Sequence, residues 1–193
     1  MTPQAAFEPA PTDARHYDST SIALHWLTAL LVILLFGTAI VWQRAPRNLN
    51  WGDPLQSLHI SLGIVLAAVL VARLAWRLSA GRKLPAAERG IMQVLAQLVH
   101  VLLYVLLAAQ VGLGFLLRWV QGEEFAFFGL FSIPALISAN RGLERTVENL
   151  HNISAWAIIY LAGAHAAAAL FHHYWRHDGV LARMLPGLRS RGA

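Results

Sequence analysis

The sequence predicts an all-α integral membrane protein, built as a bundle of four transmembrane helices. Of its 193 residues, 57% are hydrophobic and only 13% are charged, whereas about a quarter of the residues in a soluble domain are charged. Four apolar segments are each long enough to cross the ~30 Å hydrocarbon core of a bilayer as a helix. Most of the seven tryptophans fall near the ends of these segments, as an interfacial aromatic belt requires.

The predicted spans make up one membrane domain with a tail on either side. In chain order they cover 21–42, 57–78, 91–119 and 150–175. Residues 1–20 are polar and contain proline, so they predict a flexible tail before a membrane domain over 21–177, and residues 178–193 predict a basic tail after it. The charges before the first span are mixed and no A-x-A-like site follows it. We therefore expect this span to stay as a helix rather than to be removed as a signal peptide.

Lysine and arginine are unevenly divided between the two sides of the predicted bundle. Ten of the fifteen lie on the side of the chain termini, and five lie on the other side. The positive-inside rule therefore predicts that both termini are cytoplasmic. The net charge of +5 is explained by this topology signal, because the basic residues lie beside apolar segments, and no nucleic-acid partner is predicted.

The loop after the third span is apolar but too short to cross a bilayer. It contains the stretch EEFAFFGLFSIPALIS, residues 123–138. We predict an interfacial or re-entrant lid over the outer side of the bundle, broken by Pro134.

The histidines are the main functional signal. The chain has nine histidines and no cysteine, which excludes disulfides, thiolate zinc sites, iron–sulfur clusters and c-type haem attachment. Four histidines match in pairs by depth, His59 with His151 at the outer level and His25 with His165 at the inner level. His151 and His165 are fourteen residues apart, nearly four helical turns and about 21 Å of rise, so they point to a similar side of one helix.

Two explanations exist for these histidines. One histidine near a helix end is more often an interface residue than a ligand. Ionisable residues inside a membrane are costly, however, and are functional candidates by default. Two pairs matched in depth favour bis-imidazole ligation of two haem irons, each held between facing helices. Gly63, Gly163 and the alanines at 166–169 leave room for a flat macrocycle, although small residues also permit close helix packing.

Other polar residues are predicted at the inner level. Arg73 lies fourteen residues after His59 on the same helix face and could pair with haem propionates or a quinone, whereas Arg77 is better explained by snorkelling to the interface. A quinone headgroup needs hydrogen-bond donors and a proton route, which histidine supplies. A hydrated helix end explains the same residues equally well. The candidates are Gln97, His100, Tyr104, His172 and His173.

Several of these stretches resemble the bacterial cytochrome b561 family. They are SIALHWLTALLVILLF, LHISLGIVLAAVLVARLAWRL, FGLFSIP and LHNISAWAIIYLAGAHAAAALFHHY. The resemblance covers nearly the whole chain after the N-terminal tail and is closest to the branch that contains superoxide:quinone oxidoreductases. It implies a four-helix bundle in the bacterial inner membrane with two b haems, the outer one on His59 and His151 and the inner one on His25 and His165. The long N-terminal tail and Gln97, where that branch has a further histidine, depart from the pattern.

The resemblance implies an oxidoreductase that passes electrons from periplasmic superoxide through two haems to ubiquinone. A positive outer surface would steer the superoxide anion, although five acidic residues balance the five basic ones on that side. The candidates for steering are Arg44, Arg47, Arg141 and Arg145.

Two other functions remain open from the sequence. One is a diheme electron-transfer subunit that serves another dehydrogenase or a periplasmic donor protein. The other is a histidine-lined metal-ion transporter without haem, but the four predicted spans contain no Asp or Glu, which such a pathway often uses.

Overall fold

A computed structural model describes residues 16–44, 46 and 52–187 of the chain. Four long helices account for most of them: α1 Ser19–Arg44, α2 Gly52–Ser79, α3 Gly90–Gln121 and α4 Arg141–Phe171. All four are long and apolar enough to cross a membrane, α4 together with the π-helical turn His172–Arg176 that follows it. The four predicted spans are therefore confirmed as helices.

The helices pack as two close pairs, α1 on α2 and α3 on α4. Leu31, Leu66, Leu70, Leu107 and Ile158, from all four helices, form the buried core. Many other leucines, valines and isoleucines are exposed on the outer faces. Such faces are stable in contact with lipid, because the bilayer interior is itself apolar.

Helix α4 begins at Arg141, well before the predicted start at residue 150. Asn140 caps it, since the side-chain oxygen accepts hydrogen bonds from the backbone N–H groups of Gly142 and Leu143, each at 3.1 Å. The first two turns of α4 are polar, so hydropathy places the start of the span at residue 150, although the helix already begins at Arg141. As a result α4 contains Glu148, a carboxylate outside the predicted span.

The loop after α3 forms a β-hairpin rather than a re-entrant segment. Strand β1, Phe125–Phe127, pairs antiparallel with β2, Phe131–Ile133, and Pro134 follows β2 directly. The turn holds Phe128 and Gly129 at positive φ, 48° and 72°. The hairpin is attached to α2, because the Phe128 N–H donates to the buried Ser61 hydroxyl at 3.0 Å. We call this end of the bundle the hairpin end.

The two ends of the described chain meet at the opposite end, which we call the terminal end. The Tyr17 N–H donates to the carbonyl of Arg183 at 3.2 Å, and His16 Nδ1 lies 2.8 Å from the carbonyl of Ala182. The Trp26 indole donates to the carbonyl of Met184 at 2.9 Å. Residues 1–15 and 188–193 of the predicted tails lie outside the described residues.

Asp18 joins three segments at the terminal end. Its carboxylate accepts hydrogen bonds from the amide and hydroxyl of Ser21, from the Trp76 indole at 2.8 Å and from the Arg82 amide at 3.0 Å. Burial by itself raises the pKa of Asp18, but these donors outweigh it and hold that pKa well below its usual range. The start of α1 is thereby attached to the end of α2 and to the loop that follows.

Candidate functional site

His59 on α2 and His151 on α4 face each other near the hairpin end. Their ring centres are 6.4 Å apart and their planes are inclined by 72°. An imidazole nitrogen ligates a transition metal at about 2.0 Å. Two imidazoles on opposite sides of one ion therefore have their ring centres roughly 6 Å apart. The pair therefore has a spacing at which both imidazoles could hold one metal ion.

A cavity of about 530 Å³ adjoins this pair. It is lined by all four helices and by Phe125 of the hairpin, and we call it the His59 cavity. A Cβ added to Gly63 would meet nothing within 4 Å, whereas one added to Gly114 would lie 3.4 Å from His151 Cε1. Glycine therefore keeps free volume on α2 and permits close approach of α3 to His151. The size is within the usual range of cofactor sites, about 300–1,000 Å³.

Backbone and side-chain groups of α1 orient His59. Its Nδ1 lies 2.9 Å from the carbonyl of Leu35 and 3.2 Å from the Thr38 hydroxyl. A carbonyl only accepts hydrogen bonds, so Nδ1 carries the ring proton and Nε2 keeps a free lone pair. Histidines that bind metals usually donate their other ring N–H to such a carbonyl. His59 is therefore prepared to ligate through Nε2.

His151 is held by two polar residues that the sequence analysis missed. The side-chain nitrogen of Gln110 on α3 lies 3.1 Å from His151 Nε2, and its oxygen accepts a hydrogen bond from the Ser154 hydroxyl. The remaining ring nitrogen, Nδ1, is buried with no partner among the described residues. The sequence does signal Gln110, because a glutamine in the middle of an apolar span is unusual, but glutamine is not titratable and was not among the predicted site residues.

A second histidine pair lies toward the terminal end. His25 on α1 and His165 on α4 have ring centres 6.3 Å apart and planes inclined by 68°. The ring of His100 on α3 is 5.1 Å from that of His165. The spacing of His25 and His165 thus repeats that of His59 and His151, with a third imidazole beside it.

Arg73 on α2 joins this inner group. Its Nη2 donates to His25 Nδ1 at 2.9 Å, and its guanidinium carbon lies 5.1 Å from the centre of the Tyr104 ring. A guanidinium has no acceptor and stays charged, so in this arrangement it uses a lone pair of His25. Arg73 must find another acceptor, such as a carboxylate, before that nitrogen can bind a metal.

The other predicted quinone residues lie apart from this group or at its edge. His172 bonds to Asp178 and lies 3.6 Å from Glu88, and Arg176 pairs with the same Glu88 at 2.6 Å. His173 packs its ring on Tyr174, with ring centres 4.8 Å apart.

Gln97 is exposed on α3. The structure therefore brings Arg73 and His100 to the inner histidine pair and places His172 in a separate charged cluster.

This charged cluster ties the end of α4 to the loop before α3. One atom each of Glu88, His172 and Asp178 lies within 4.8 Å of the others, a grouping that could hold a metal ion. Arg176 already supplies a positive charge there. Burial raises the pKa of Asp178, but the hydrogen bonds from His172 and the Val180 amide, together with the nearby charges of His172 and Arg176, outweigh it and lower that pKa.

Among the arginines predicted to steer an anion, Arg44 is exposed in the last turn of α1. Arg47 lies outside the described residues.

Comparison with known proteins agrees with this architecture. The family model described as prokaryotic cytochrome b561 matches residues 16–187. The chain is 30% identical over 174 residues to cytochrome b561 homolog 1 of Escherichia coli K12, covering 88% of this chain and 97% of that protein. It is 31% identical over 170 residues to cytochrome b561 homolog 2 of the same organism, covering 88% and 90% of the two chains. It is also 30% identical over 178 residues to a probable superoxide oxidase, CybB, of Yersinia pestis, covering 91% and 99%.

The match extends over all four helices and the hairpin, and these relatives are matched over nearly their full length. The resemblance seen in the sequence is confirmed. This chain belongs to the prokaryotic cytochrome b561 family of b-type haem membrane proteins that transfer electrons.

Proposed function

We propose that this protein carries electrons from superoxide, on the periplasmic side of the bacterial inner membrane, through two b haems to ubiquinone. The observation that carries the proposal is the repeated pairing of His59 with His151 and of His25 with His165, at 6.4 Å and 6.3 Å between ring centres. Two histidine pairs at two depths would hold two haems, and electrons could pass from one haem to the other across the bilayer. A single pair would leave this path incomplete.

The residues around each pair would hold and orient a haem. His59 and His151 would supply imidazole nitrogens at the hairpin end, where the Leu35 carbonyl fixes the tautomer of His59. His25 and His165 supply them toward the terminal end, where Arg73 would exchange its bond to His25 for a haem propionate. When bound, haem supplies reversible one-electron redox chemistry at iron.

The terminal end supports reduction of a quinone. Reduction of ubiquinone to ubiquinol consumes two electrons and two protons, and two superoxide anions release the two electrons as they become dioxygen. Arg73 is a hydrogen-bond donor beside the inner pair. His100 lies there too and can take up a proton at Nε2, since its Nδ1 donates to the carbonyl of Ala96. His172 contacts the acidic residues Glu88 and Asp178. Histidine exchanges protons near neutral pH, so these residues offer a route from the cytoplasmic water to the quinone. Gln97 and His173 complete the proposed set.

Superoxide as the donor rests on the similarity to the probable superoxide oxidase of Yersinia pestis. The hairpin end would face the periplasm if the positive-inside rule orients this chain, with both termini in the cytoplasm. Arg44 is then near the outer end, where it would attract a small anion. Arg47, outside the described residues, is the second arginine proposed for this role.

Two measurements on the purified protein test the proposal. A pyridine haemochrome assay should give two b haems per chain, and stopped-flow mixing with superoxide should reduce them rapidly. One haem or none would contradict the architecture. Two haems without reduction by superoxide, together with stable copurification of a partner, would instead identify a diheme subunit serving another dehydrogenase or periplasmic donor.

A further inference from the structure

Arg118 is a buried cation at the cavity that holds the outer histidine pair. It lies in the last turn of α3 and lines the His59 cavity together with His59 and His151. Its side chain is only 14% exposed. Arg44, in contrast, is exposed at the end of α1. Among the described arginines, Arg118 therefore combines burial with direct access to this cavity.

The guanidinium of Arg118 has a hydrogen-bond donor without an acceptor among the described residues. Its Nη1 donates to the side-chain oxygen of Gln121 at 3.0 Å, and its Nη2 pairs with the carboxylate of Glu123. Its Nε is buried and has no hydrogen-bond partner within the described parts of the chain. A buried donor without an acceptor destabilises the folded protein. An additional acceptor at this arginine would remove that destabilisation.

The present ionic partner of Arg118 is easily exchanged. Glu123 follows the helix cap at Gly122, and its side chain is 57% exposed. An ion pair with one partner in water contributes little, because water solvates the separated carboxylate almost as well. A second oxyanion within the cavity can thus displace Glu123 at small cost.

One carboxylate opposes an anion in this cavity. Glu148 lines it from α4, three residues before His151. The described residues of the lining therefore include one positive side chain, Arg118, and one negative side chain, Glu148. The electrostatic potential that an anion meets in the cavity depends on its distance from each of them. Substitutions at Arg118 and Glu148 should consequently have opposite effects on any anion bound there.

We propose that Arg118 is the anion-binding residue of the His59 cavity and that it exchanges Glu123 for an oxyanion there. The proposal rests on the proposed function, since it names the residue that meets the anion at the outer haem site. The oxyanion is either a carboxylate of the bound haem or a small diffusible oxyanion such as superoxide. Both present oxygen acceptors of the kind that a guanidinium binds with short, charge-assisted hydrogen bonds.

The test compares three variants of the purified holoprotein with the native chain. Arg118→Gln removes the cation, and Glu123→Gln removes its present partner while leaving Arg118 in place. Arg89→Gln is the matched control, because it removes one exposed arginine at the other end of the same helix. For each protein we would measure haem content, the midpoint potential of each haem, and the rate of reduction by superoxide at several salt concentrations.

The two sources of the oxyanion give different results. If Arg118 binds a haem carboxylate, Arg118→Gln should lower one midpoint potential, because the lost positive charge had favoured the reduced haem, and the salt dependence should stay the same. If it binds a diffusible oxyanion, both potentials should stay the same while the rate with superoxide falls roughly tenfold and becomes less dependent on salt, since the exposed Arg44 is still present. Glu123→Gln should raise whichever quantity Arg118→Gln lowers: the midpoint potential in the first case and the rate with superoxide in the second.

The proposal is overturned if Arg118→Gln and Glu123→Gln both match Arg89→Gln in potentials and rate. Should Arg118→Gln fail to fold, Glu123→Gln alone decides between the same outcomes. Failure of the proposed function is recognised separately: it would appear in the native chain, as fewer than two haems or as no reduction by superoxide. In that case, the midpoint potential of the haem at the His59 cavity still tests Arg118.

Discussion

The imidazole rings of His59 and His151 lie 6.4 Å apart, centre to centre, although the two residues are on different helices and far apart in the chain. His25 and His165 repeat this separation at 6.3 Å, with nearly the same inclination between the planes. Helix α4 contributes one histidine to each pair. The fourteen-residue spacing of His151 and His165 therefore sets the separation of the two sites along the bundle, about 21 Å.

Removing His151 should remove one haem and leave the other largely in place. His151→Ala removes one of the two imidazoles that would hold the haem at the His59 cavity, while His25 and His165 are unchanged. The haem-to-protein ratio should fall from two to about one, as measured by pyridine haemochrome absorbance. His177→Ala, a change at an exposed histidine beyond α4, should retain both haems. Loss of both haems from His151→Ala alone would show that the two sites are not independent.

His100 should affect electron transfer to quinone more than haem binding. Its ring lies 5.1 Å from that of His165. Its Nδ1 donates to the carbonyl of Ala96 at 2.7 Å, so Nε2 keeps a lone pair that can take up a proton and pass it to a quinone. His100→Ala should slow reoxidation of the reduced haems by a soluble ubiquinone analogue, about 100-fold if it transfers the proton. Both haem spectra should be almost unchanged.

His172→Ala tests whether the charged cluster takes part in the same reaction. His172 contacts Asp178 and Glu88, so we expect its removal to slow reoxidation by interrupting the supply of protons to the quinone. His177→Ala again serves as the control. Normal reoxidation in both His100→Ala and His172→Ala would place the quinone elsewhere in the bundle.

Reduction by superoxide should be steered by charge. Added salt screens exposed charges over about 10 Å at 0.1 M ionic strength, so the stopped-flow rate should decrease as salt increases. Reversing the charge at Arg44 or Arg47 should slow the reaction further. A rate that responds neither to salt nor to these substitutions would eliminate steering as part of the mechanism.

Asp18 should stabilise the terminal end in a pH-dependent way. Asp18→Ala removes the acceptor shared by Ser21, Trp76 and Arg82 and should destabilise the protein by about 1–3 kcal/mol. The pKa of Asp18 is lowered in the folded protein. Its contribution is therefore complete above the unfolded pKa of about 3.9 and is lost as the pH falls toward the folded value.

Thermal unfolding of the native chain and of Asp18→Ala at several pH values measures this contribution. The difference in melting temperature should be constant near neutral pH and should shrink below about pH 4. Asp53→Ala removes a carboxylate from the exposed first turn of α2 and should have a smaller effect. If Asp53→Ala lost as much stability as Asp18→Ala, the hydrogen bonds at Asp18 would contribute no more to stability than an exposed carboxylate does.

The sequence alone determined the four helices and the depth of each histidine. A membrane span is recognised from the length and hydropathy of one continuous segment, and depth follows from counting residues at 1.5 Å each. For this reason residue counting was enough to match His59 with His151 and His25 with His165. The start of α4 at Arg141 was missed, because its first turns are polar and hydropathy does not register a cap at Asn140.

Only the tertiary structure decided which side chains meet at each depth. The rotation of each helix about its axis depends on packing against its neighbours, and hydropathy carries little information about it when lipid-facing and core-facing residues are equally apolar. Gln110 at His151, Arg73 at His25 and Arg118 in the His59 cavity all depend on that rotation. The hairpin depends on it too, because its attachment requires the Ser61 hydroxyl to face the Phe128 amide across two separate segments.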